Sequence, residues 1–174
     1  MMKEMGFKNP MAVPRIKKVV LNTSFGREVV VKTSGEREKL YKLVTQDLGL
    51  IAGQAPVLTK AKKSIAGFKL REGLQIGAKV TLRKDRMWDF LERLIYLSLP
   101  RSRDFKGIDP KNIDKNGNLT IGFKEHISFP EIFTEKEKTI IGLQITVSTN
   151  ARSKKEGLAL YKFLGFPMKE EKNK

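Results

Sequence analysis

The stretch IGAKVTLRKDRMWDFLERLI, residues 76–95, changes midway from the pattern of a strand to that of a helix. From Ile76 to Arg83 apolar and polar residues alternate, so successive side chains would point to opposite faces of a strand. From Asp85 onward apolar residues recur every three or four positions. This spacing predicts a helix with Asp85 as its N-cap and Pro100 at its end. Its buried stripe would consist of Met87, Phe90, Leu91, Leu94 and Ile95.

The same two patterns recur on both sides of this stretch. Alternating or β-branched residues predict strands at Arg15–Asn22, Pro56–Thr59, Asn118–Lys124 and Gly142–Asn150. Helical spacing predicts helices at Thr33–Gly49 and from Ser153 to Gly165, which begin with the capping boxes Thr33–Glu36 and Ser153–Glu156. The last helix would bury Leu160, Phe163 and Leu164.

The predicted elements follow the order strand, helix, strand, loop, strand, helix, strand, strand, helix. The segment between the last two strands is long and charged, so these strands need not form a tight hairpin. Strands that alternate apolar with polar residues are typical of an antiparallel sheet covered on one face. We therefore expect an α+β fold, with a mostly antiparallel sheet, helices packed on one face and a polar face on the other.

The composition limits the classes of protein to which the chain can belong. Its 174 residues include 35 Lys and Arg against 19 Asp and Glu, a formal net charge of +16, and no cysteine. That length predicts a single domain over residues 1–174, with a charged tail at 168–174. The positive charge indicates a polyanionic partner, and without an amphipathic basic helix we expect nucleic acid and no membrane. The lack of cysteine, signal peptide and transmembrane run is typical of a cytoplasmic protein.

The stretch from Gln54 to Arg71, QAPVLTKAKKSIAGFKLR, contains five basic residues and no acidic one. Its small residues and Gly67 would let the segment approach a phosphate backbone closely. The alternative is a solvated basic loop, which most charged runs are. Because the whole chain is strongly basic, we favour a nucleic-acid-binding basic loop over residues 59–75.

The polar face of the predicted sheet is the second candidate surface. Its side chains are Lys79, Thr81, Arg83, Thr120, Lys124, Gln144, Thr146, Ser148 and Asn150. Hydroxyls, amides and a few cations suit contacts with sugar hydroxyls and phosphates. The face lacks aromatic side chains on which unpaired bases could stack, so structured RNA is the expected ligand. The alternative is a solvated face on which threonine is simply a good strand former.

Catalysis finds little support in the sequence. His126 is the only histidine, and no nucleophile motif, phosphate-binding loop or zinc-binding motif accompanies it. Asn112, Asp114 and Asn116 resemble the first half of a calcium loop, but Phe123 occupies the position of the bidentate glutamate. We therefore expect no catalytic residue, no metal and no cofactor.

Five ordered segments carry a resemblance to a known family. They are VPRIKKVVLN (13–22), GQAPVLTKAKKSIAGFKLREG (53–73), IGAKVTLRKDRMWDFLERLIYLSLPRSRDFKGI (76–108), NGNLTIGFKEHISFPEI (116–132) and GLQITVSTNARSKKEGLALYKFLGFP (142–167). Together they closely resemble the bacterial large-subunit ribosomal protein five family, over nearly the whole chain from about Phe7 to Pro167. Long motifs in the right order are far more specific than a short pattern.

The resemblance implies a structural, non-enzymatic protein of the cytoplasmic ribosome whose polar sheet face meets RNA. It implies binding to 5S rRNA, and contacts with 23S rRNA and with neighbouring large-subunit proteins. It further implies a bridge to protein thirteen of the small-subunit head, with the segments Pro100–Ile108 and Glu125–Lys138 nearer that interface. The basic loop would reach the elbow of the P-site tRNA.

Motif by motif, the resemblance carries rRNA contacts to Asn22 in VVLN, Gln54 in AGQ and Thr81 in KVTLR. Lys79 and Arg83 accompany Thr81 on the predicted polar face and join this set. The expected tRNA-binding residues are Lys60, Lys62, Lys63, Ser64, Phe68, Lys69 and Arg71. Phe68 could either anchor the loop by packing or touch RNA.

The resemblance has one departure at the N-terminus. Family members usually begin with an extra helix, whereas only Met1–Gly6 precede Phe7 here. Either that helix is shortened or lost, or the assigned start of the chain is too late. Contacts that the family makes through the helix are therefore not carried over. Two other classes remain as alternatives: an RNA-acting enzyme, and a dissociable RNA chaperone or translation factor. An enzyme would need clustered carboxylates or a His/Lys constellation near the basic loop, and Gln54–Arg71 contains no acidic residue.

Overall fold

The sheet of this protein forms as its alternating segments predict. The computed structural model describes residues 1, 6–7, 9–103, 105–132 and 140–169. The strands are β1 (Ile16–Ser24), β2 (Val57–Lys60), β3 (Gln75–Leu82), β4 (Leu119–Phe123) and β5 (Leu143–Thr149). They form one antiparallel sheet in the spatial order β2-β3-β1-β5-β4. The α+β fold is confirmed, and β4 and β5 pair directly although a long segment joins them.

The α-helices are α1 (Gly26–Val31), α2 (Ser34–Ala52), α3 (Lys84–Arg93), α4 (Leu99–Arg101) and α5 (Lys154–Phe163). The first predicted capping box is present, because the backbone N–H of Thr33 donates to the Glu36 carboxylate at 2.9 Å. This hydrogen bond holds the pKa of Glu36 below its ordinary value. Helix α2 ends at Gly53, whose φ of +62° is left-handed, so it runs slightly beyond the predicted Gly49.

Only half of the second capping box forms. At the start of α5, the Ser153 hydroxyl accepts a hydrogen bond from the backbone N–H of Glu156 at 3.3 Å, as predicted. The Glu156 carboxylate reaches past Ser153 and accepts from the N–H of Arg152 at 2.8 Å. The helix therefore begins where the sequence predicts. The Glu156 carboxylate, however, bonds to the N–H of the residue before the N-cap instead of to that of the N-cap itself.

Helix α3 begins and ends differently from its prediction. Its N-cap is Arg83 rather than Asp85, which lies in the first turn where its charge favours the helix dipole. Pro100 does not end the helical path. A widened π-helical turn, Leu94–Ser98, precedes it, and the N–H of Leu99 bonds to the carbonyl of Leu94. The wider turn accommodates the missing proline N–H, so the helical path continues to Arg101.

The core lies between the apolar face of the sheet and the helices. Side chains of β1, β3 and β5 that are at most 2% exposed include Val19, Leu21, Val80 and Ile145. The helical stripe of α3 faces them as predicted, with Phe90 fully buried. Because the helices cover this one face, the other face of the sheet remains available to ligands.

Helix α5 buries a different side chain from the one predicted. Tyr161 is fully buried, whereas Phe163, expected in the core, is 66% exposed. The tyrosine can be buried because its hydroxyl reaches the carbonyl oxygens of Gly117 at 3.0 Å and Val147 at 3.2 Å. Burial raises the pKa of the Tyr161 phenol, which therefore remains a neutral donor.

Three predictions fall partly outside the described residues. They concern the shortened N-terminal helix (residues 2–5), the interface segment (133–138) and the charged tail (170–174). No helix among the residues that the structure describes is long and apolar enough to cross a lipid bilayer.

Candidate nucleic-acid interface

The polar face of the sheet is built in rows, because strand pairing aligns residues across neighbouring strands. The first row runs across all five strands as Val57, Lys79, Asn22, Gln144 and Gly122. The second row runs across β3, β1, β5 and β4 as Thr81, Val20, Thr146 and Thr120. All nine residues are exposed or half-buried, and in β1, β3, β4 and β5 the residues on either side of them along the strand are buried.

Asn22 occupies the centre of the first row, which we call the Asn22 row. Its direct partners are Lys79 on β3 and Gln144 on β5. Opposed side chains in antiparallel sheets have Cβ atoms about 4.5–5.5 Å apart. Two amides and an ammonium group can therefore contact one short stretch of a ligand.

The structure brings together three of the five residues predicted to bind rRNA. Asn22 and Lys79 are direct partners, and Thr81 lies in the next row, two residues from Lys79. Arg83 immediately follows β3 as the N-cap of α3, at the end of the sheet. These four residues therefore line a continuous path from the middle of the polar face to its margin.

Gln54 lies outside the sheet, between α2 and β2. Its side-chain oxygen accepts a hydrogen bond from the Arg86 guanidinium at 3.4 Å. Val57 at the start of β2 pairs with Lys79, and Gln54 lies three residues before Val57 on the side toward the end of β3. Gln54 and Arg86 therefore both lie toward the margin where Arg83 leaves the sheet. The amide of Gln54 is thus placed beside cations rather than beside Asn22.

Sequence reasoning missed Lys18 as a site residue. It lies opposite Ser148 on β5, one row beyond Val20, and is half-buried. The signal was present, since Lys18, Val20 and Asn22 are spaced two apart in an alternating strand. With Lys18, the central strand contributes both a cation and an amide to the polar face.

Chemically, the two rows offer hydrogen-bonding groups and positive charge without an acidic side chain. Thr120 and Thr146 face each other with their hydroxyl oxygens 3.5 Å apart. On the opposite face, the buried hydroxyl of Thr23 donates to the carbonyl of Gly142 at 2.7 Å and ties β1 to the start of β5. Such a surface suits the phosphates and 2′-hydroxyl groups of structured RNA.

The basic loop is an ordered hairpin extension of β2 and β3. Ala61 exchanges backbone hydrogen bonds with Leu74 at 2.8 Å and Gly73 at 3.0 Å, and Ile65 pairs with Leu70 at 3.0 and 3.1 Å. The cations predicted to bind tRNA are all exposed: Lys60, Lys62, Lys63, Lys69 and Arg71. The hairpin therefore presents positive charge away from the rows of the polar face.

The other two residues predicted to bind tRNA have different environments. The Ser64 hydroxyl oxygen accepts a hydrogen bond from the N–H of Glu72 at 2.9 Å, so it helps to shape the loop. Phe68 is 72% exposed near the tip, and it lines a shallow groove with Arg27 and Val30 of α1. Most of the Phe68 ring therefore remains available to a ligand.

His126 belongs to the core rather than to a site. It is 3% exposed, and its Nδ1 accepts a hydrogen bond from the N–H of Ile141 at 3.2 Å. Its Nε2 lies 3.7 Å from Oδ2 of the buried Asp47 on α2. Across the described ranges, no group of three or more His, Cys, Asp or Glu residues could hold a metal ion.

Comparison with known sequences agrees with this architecture. The sequence profile for the C-terminus of the ribosomal protein L5 family matches residues 75–168, and the profile of ribosomal protein L5 itself matches residues 9–71. Relatives named large ribosomal subunit protein uL5 are similar over almost their full length. The Dichelobacter nodosus protein is 50% identical over 95% of this chain and 89% of its own. The Colwellia psychrerythraea protein is 49% identical over 97% and 90%, respectively.

Proposed function

We propose that this chain, which belongs to the ribosomal protein L5 family and is a structural protein of the large ribosomal subunit, binds 5S rRNA. The proposed surface is the polar face of its sheet. The proposal combines the family's RNA ligand with the residues that this fold aligns. Contacts with 23S rRNA and with neighbouring large-subunit proteins, and a bridge to protein thirteen of the small-subunit head, belong to the same proposal.

The Asn22 row is the observation that carries the assignment of 5S rRNA to this face. It places Asn22 between Lys79 and Gln144 on three adjacent strands. Amides can donate to phosphate or ribose oxygens and accept from 2′-hydroxyl groups, while the lysine supplies charge. A rigid arrangement of this kind favours one RNA shape over others, which charge alone cannot do.

The basic loop is proposed to contact the elbow of the P-site tRNA. Its exposed cations would meet phosphates, which carry no sequence information, so every tRNA species could be accepted in turn. The exposure of Phe68 adds an apolar group that could rest against a ribose or base. This loop contact does not depend on the polar face.

A competition experiment tests the assignment of 5S rRNA. Labelled 5S rRNA is bound to the protein at ~150 mM salt, near physiological ionic strength, and displaced by unlabelled 5S rRNA or by an unrelated structured RNA of equal length. We expect 5S rRNA to compete far better. Equal competition by the two RNAs would exclude specific recognition by this chain.

Sedimentation separates a structural role from that of a dissociable factor. Ribosomes washed at high salt should retain the protein in the large subunit, because a structural protein is held by many contacts at once. Loss of the protein into the supernatant under conditions that retain neighbouring proteins would favour the RNA chaperone alternative.

A further inference from the structure

We propose that the cleft between the end of α4 and the end of β4 binds backbone phosphates of the same RNA that lies on the polar face. This inference rests on the proposed function. It gives an RNA ligand to residues of two segments, Pro100–Ile108 and Glu125–Lys138, that the family resemblance places nearer the small-subunit interface. We call this site the β4 cleft, after the edge strand that forms one of its walls.

The β4 cleft has a volume of about 530 Å³ and is formed by two segments that are distant in sequence. Arg101, Ser102 and Arg103 come from the end of α4 and the turn that follows it. Lys124 and Ser128 come from the end of β4 and the turn after it. The sheet and the helical path therefore bring three cations to one concave surface.

The charges in the β4 cleft favour an anion. Arg101, Arg103 and Lys124 are all exposed, and among the described residues none of them forms a salt bridge. Glu125 is the one carboxylate lining the described cleft, and it is half-buried. Guanidinium groups present a rigid fork of donors that matches phosphate oxygens, so two arginines in one cleft suit a phosphodiester backbone.

The lining argues against a small apolar ligand. Pockets of this size that bind such ligands are lined mainly by hydrophobic and aromatic side chains. Here Ile127 is the only large apolar side chain among the described lining residues. Two serines, Ser102 and Ser128, add hydroxyl groups that can bond to phosphate or ribose oxygens.

The β4 cleft is continuous with the polar face through Gly122. This glycine ends the Asn22 row at β4 and also lines the cleft. A Cβ atom at Gly122 would meet no other atom within 4 Å, so the strand leaves open space between Gln144 and the cleft. An RNA backbone that crosses the Asn22 row can therefore pass over Gly122 and reach the cations of the cleft.

The salt dependence of 5S rRNA binding tests this inference. Each neutralised phosphate contributes about 0.7–0.9 to the slope of log K against log salt concentration. In the triple variant Arg101→Gln/Arg103→Gln/Lys124→Gln, we expect that slope to be shallower by about 2 to 3. Affinity at ~100 mM salt should fall at least tenfold.

A matched control separates the cleft from general loss of charge. The variant Lys39→Gln/Lys42→Gln/Lys162→Gln removes the same charge from exposed positions on α2 and α5, on the helical side of the sheet. We expect its slope to stay close to that of the wild-type protein. Circular dichroism and thermal melting of both variants verify that the fold is intact.

The outcomes also separate this inference from the proposed function. If wild-type protein prefers 5S rRNA and the two triple variants share one slope, the β4 cleft does not bind this RNA. That result would overturn the inference and would leave the cleft to an occupant other than this RNA, such as an acidic protein segment. If wild-type protein shows no preference for 5S rRNA, the proposed function itself fails, whatever the variants do.

Discussion

The polar face and the basic loop are both positively charged, but they hold their side chains in different ways. On the polar face, Asn22 is fixed by pairing with a strand on each side. In the basic loop, the exposed cations extend from a hairpin held by a few hydrogen bonds of its own, such as that from Glu72 to Ser64. A fixed array can select one ligand shape, whereas exposed charges on long side chains can accept any phosphate backbone. One chain can thus combine a selective and a permissive RNA contact.

The largest expected effect on stability comes from a substitution at Gly77, in the part of β3 where the polar face and the basic loop join. A Cβ atom at Gly77 would lie 2.7 Å from the carbonyl oxygen of Thr23 and 2.8 Å from the hydroxyl of Thr59. In Gly77→Val, β1 and β2 must both shift. We expect a loss of about 1–3 kcal/mol in the free energy of unfolding, and a melting temperature lower by several degrees.

Gly67→Val is the matched control for that substitution. A Cβ atom at Gly67, in the basic loop, would meet nothing within 4 Å, so the melting temperature should stay the same. Calorimetry of both variants gives the comparison. Equal melting temperatures would mean that the root of the loop is not part of the rigid sheet.

Neutralising the basic loop should have the next largest effect, and only on tRNA. We expect Lys62→Gln/Lys63→Gln/Lys69→Gln to lower P-site tRNA affinity about tenfold or more, because up to three phosphate contacts are lost. Incorporation into the large subunit and binding to free 5S rRNA should not change. Filter binding of tRNA to purified ribosomes measures the effect. Lys111→Gln/Lys115→Gln/Lys155→Gln removes equal charge from other exposed positions.

A triple loop variant that failed to enter the large subunit would reverse the assignment. In that case the loop would be an anchor for rRNA, and its permissive contact with tRNA would be excluded.

Substitutions on the polar face should act more weakly, and on 5S rRNA alone. Asn22→Ala and Thr81→Ala each remove one hydrogen-bonding side chain from adjacent rows. Each should cost about 0.5–1.5 kcal/mol in binding, or roughly two- to tenfold in Kd. The salt slope should stay constant, because both side chains are neutral. Unchanged affinity in both variants would show that 5S rRNA binds elsewhere.

The smallest effect should be confined to the shape of the basic loop. Ser64→Ala removes the acceptor for the N–H of Glu72. Both groups are exposed, so the melting temperature should hardly change. Hydrogen exchange at the Glu72 amide should become faster, while amides of β1 keep their protection. Slower or unchanged exchange at Glu72 would mean that the loop does not rely on this hydrogen bond.

The sequence predicts the elements well because their signals are local. The alternation from Ile76 to Arg83 and the capping box at Thr33 depend only on neighbouring residues, and both were found. The error in the core face of the last helix arose because distant residues decide it. Tyr161 displaced Phe163 from the core because carbonyls of Gly117 and Val147 satisfy its hydroxyl. No pattern within the last helix could reveal those partners.

The candidate interface shows the same division. Alternation and the family resemblance predict Asn22 and Thr81 as interface residues, and the strand pairing places them in adjacent rows. The spatial order of the strands, with β1 at the centre of the sheet, does not follow from the order of the elements along the chain. The β4 cleft was not predicted because Arg101 and Lys124 meet only after the helical path and β4 have packed together.

The central position of β1 also constrains how the chain can fold while it is being synthesised. Leu21 pairs with Val80 on one side and with Ile145 on the other, and both partners are made later. The first strand to leave the translating ribosome is therefore paired on both edges only after β3 and β5 have been synthesised. Until then it has an open edge, which can pair with other chains. Lys17 and Lys18, at the start of β1, place charge on that edge and oppose such pairing while the rest of the chain is made.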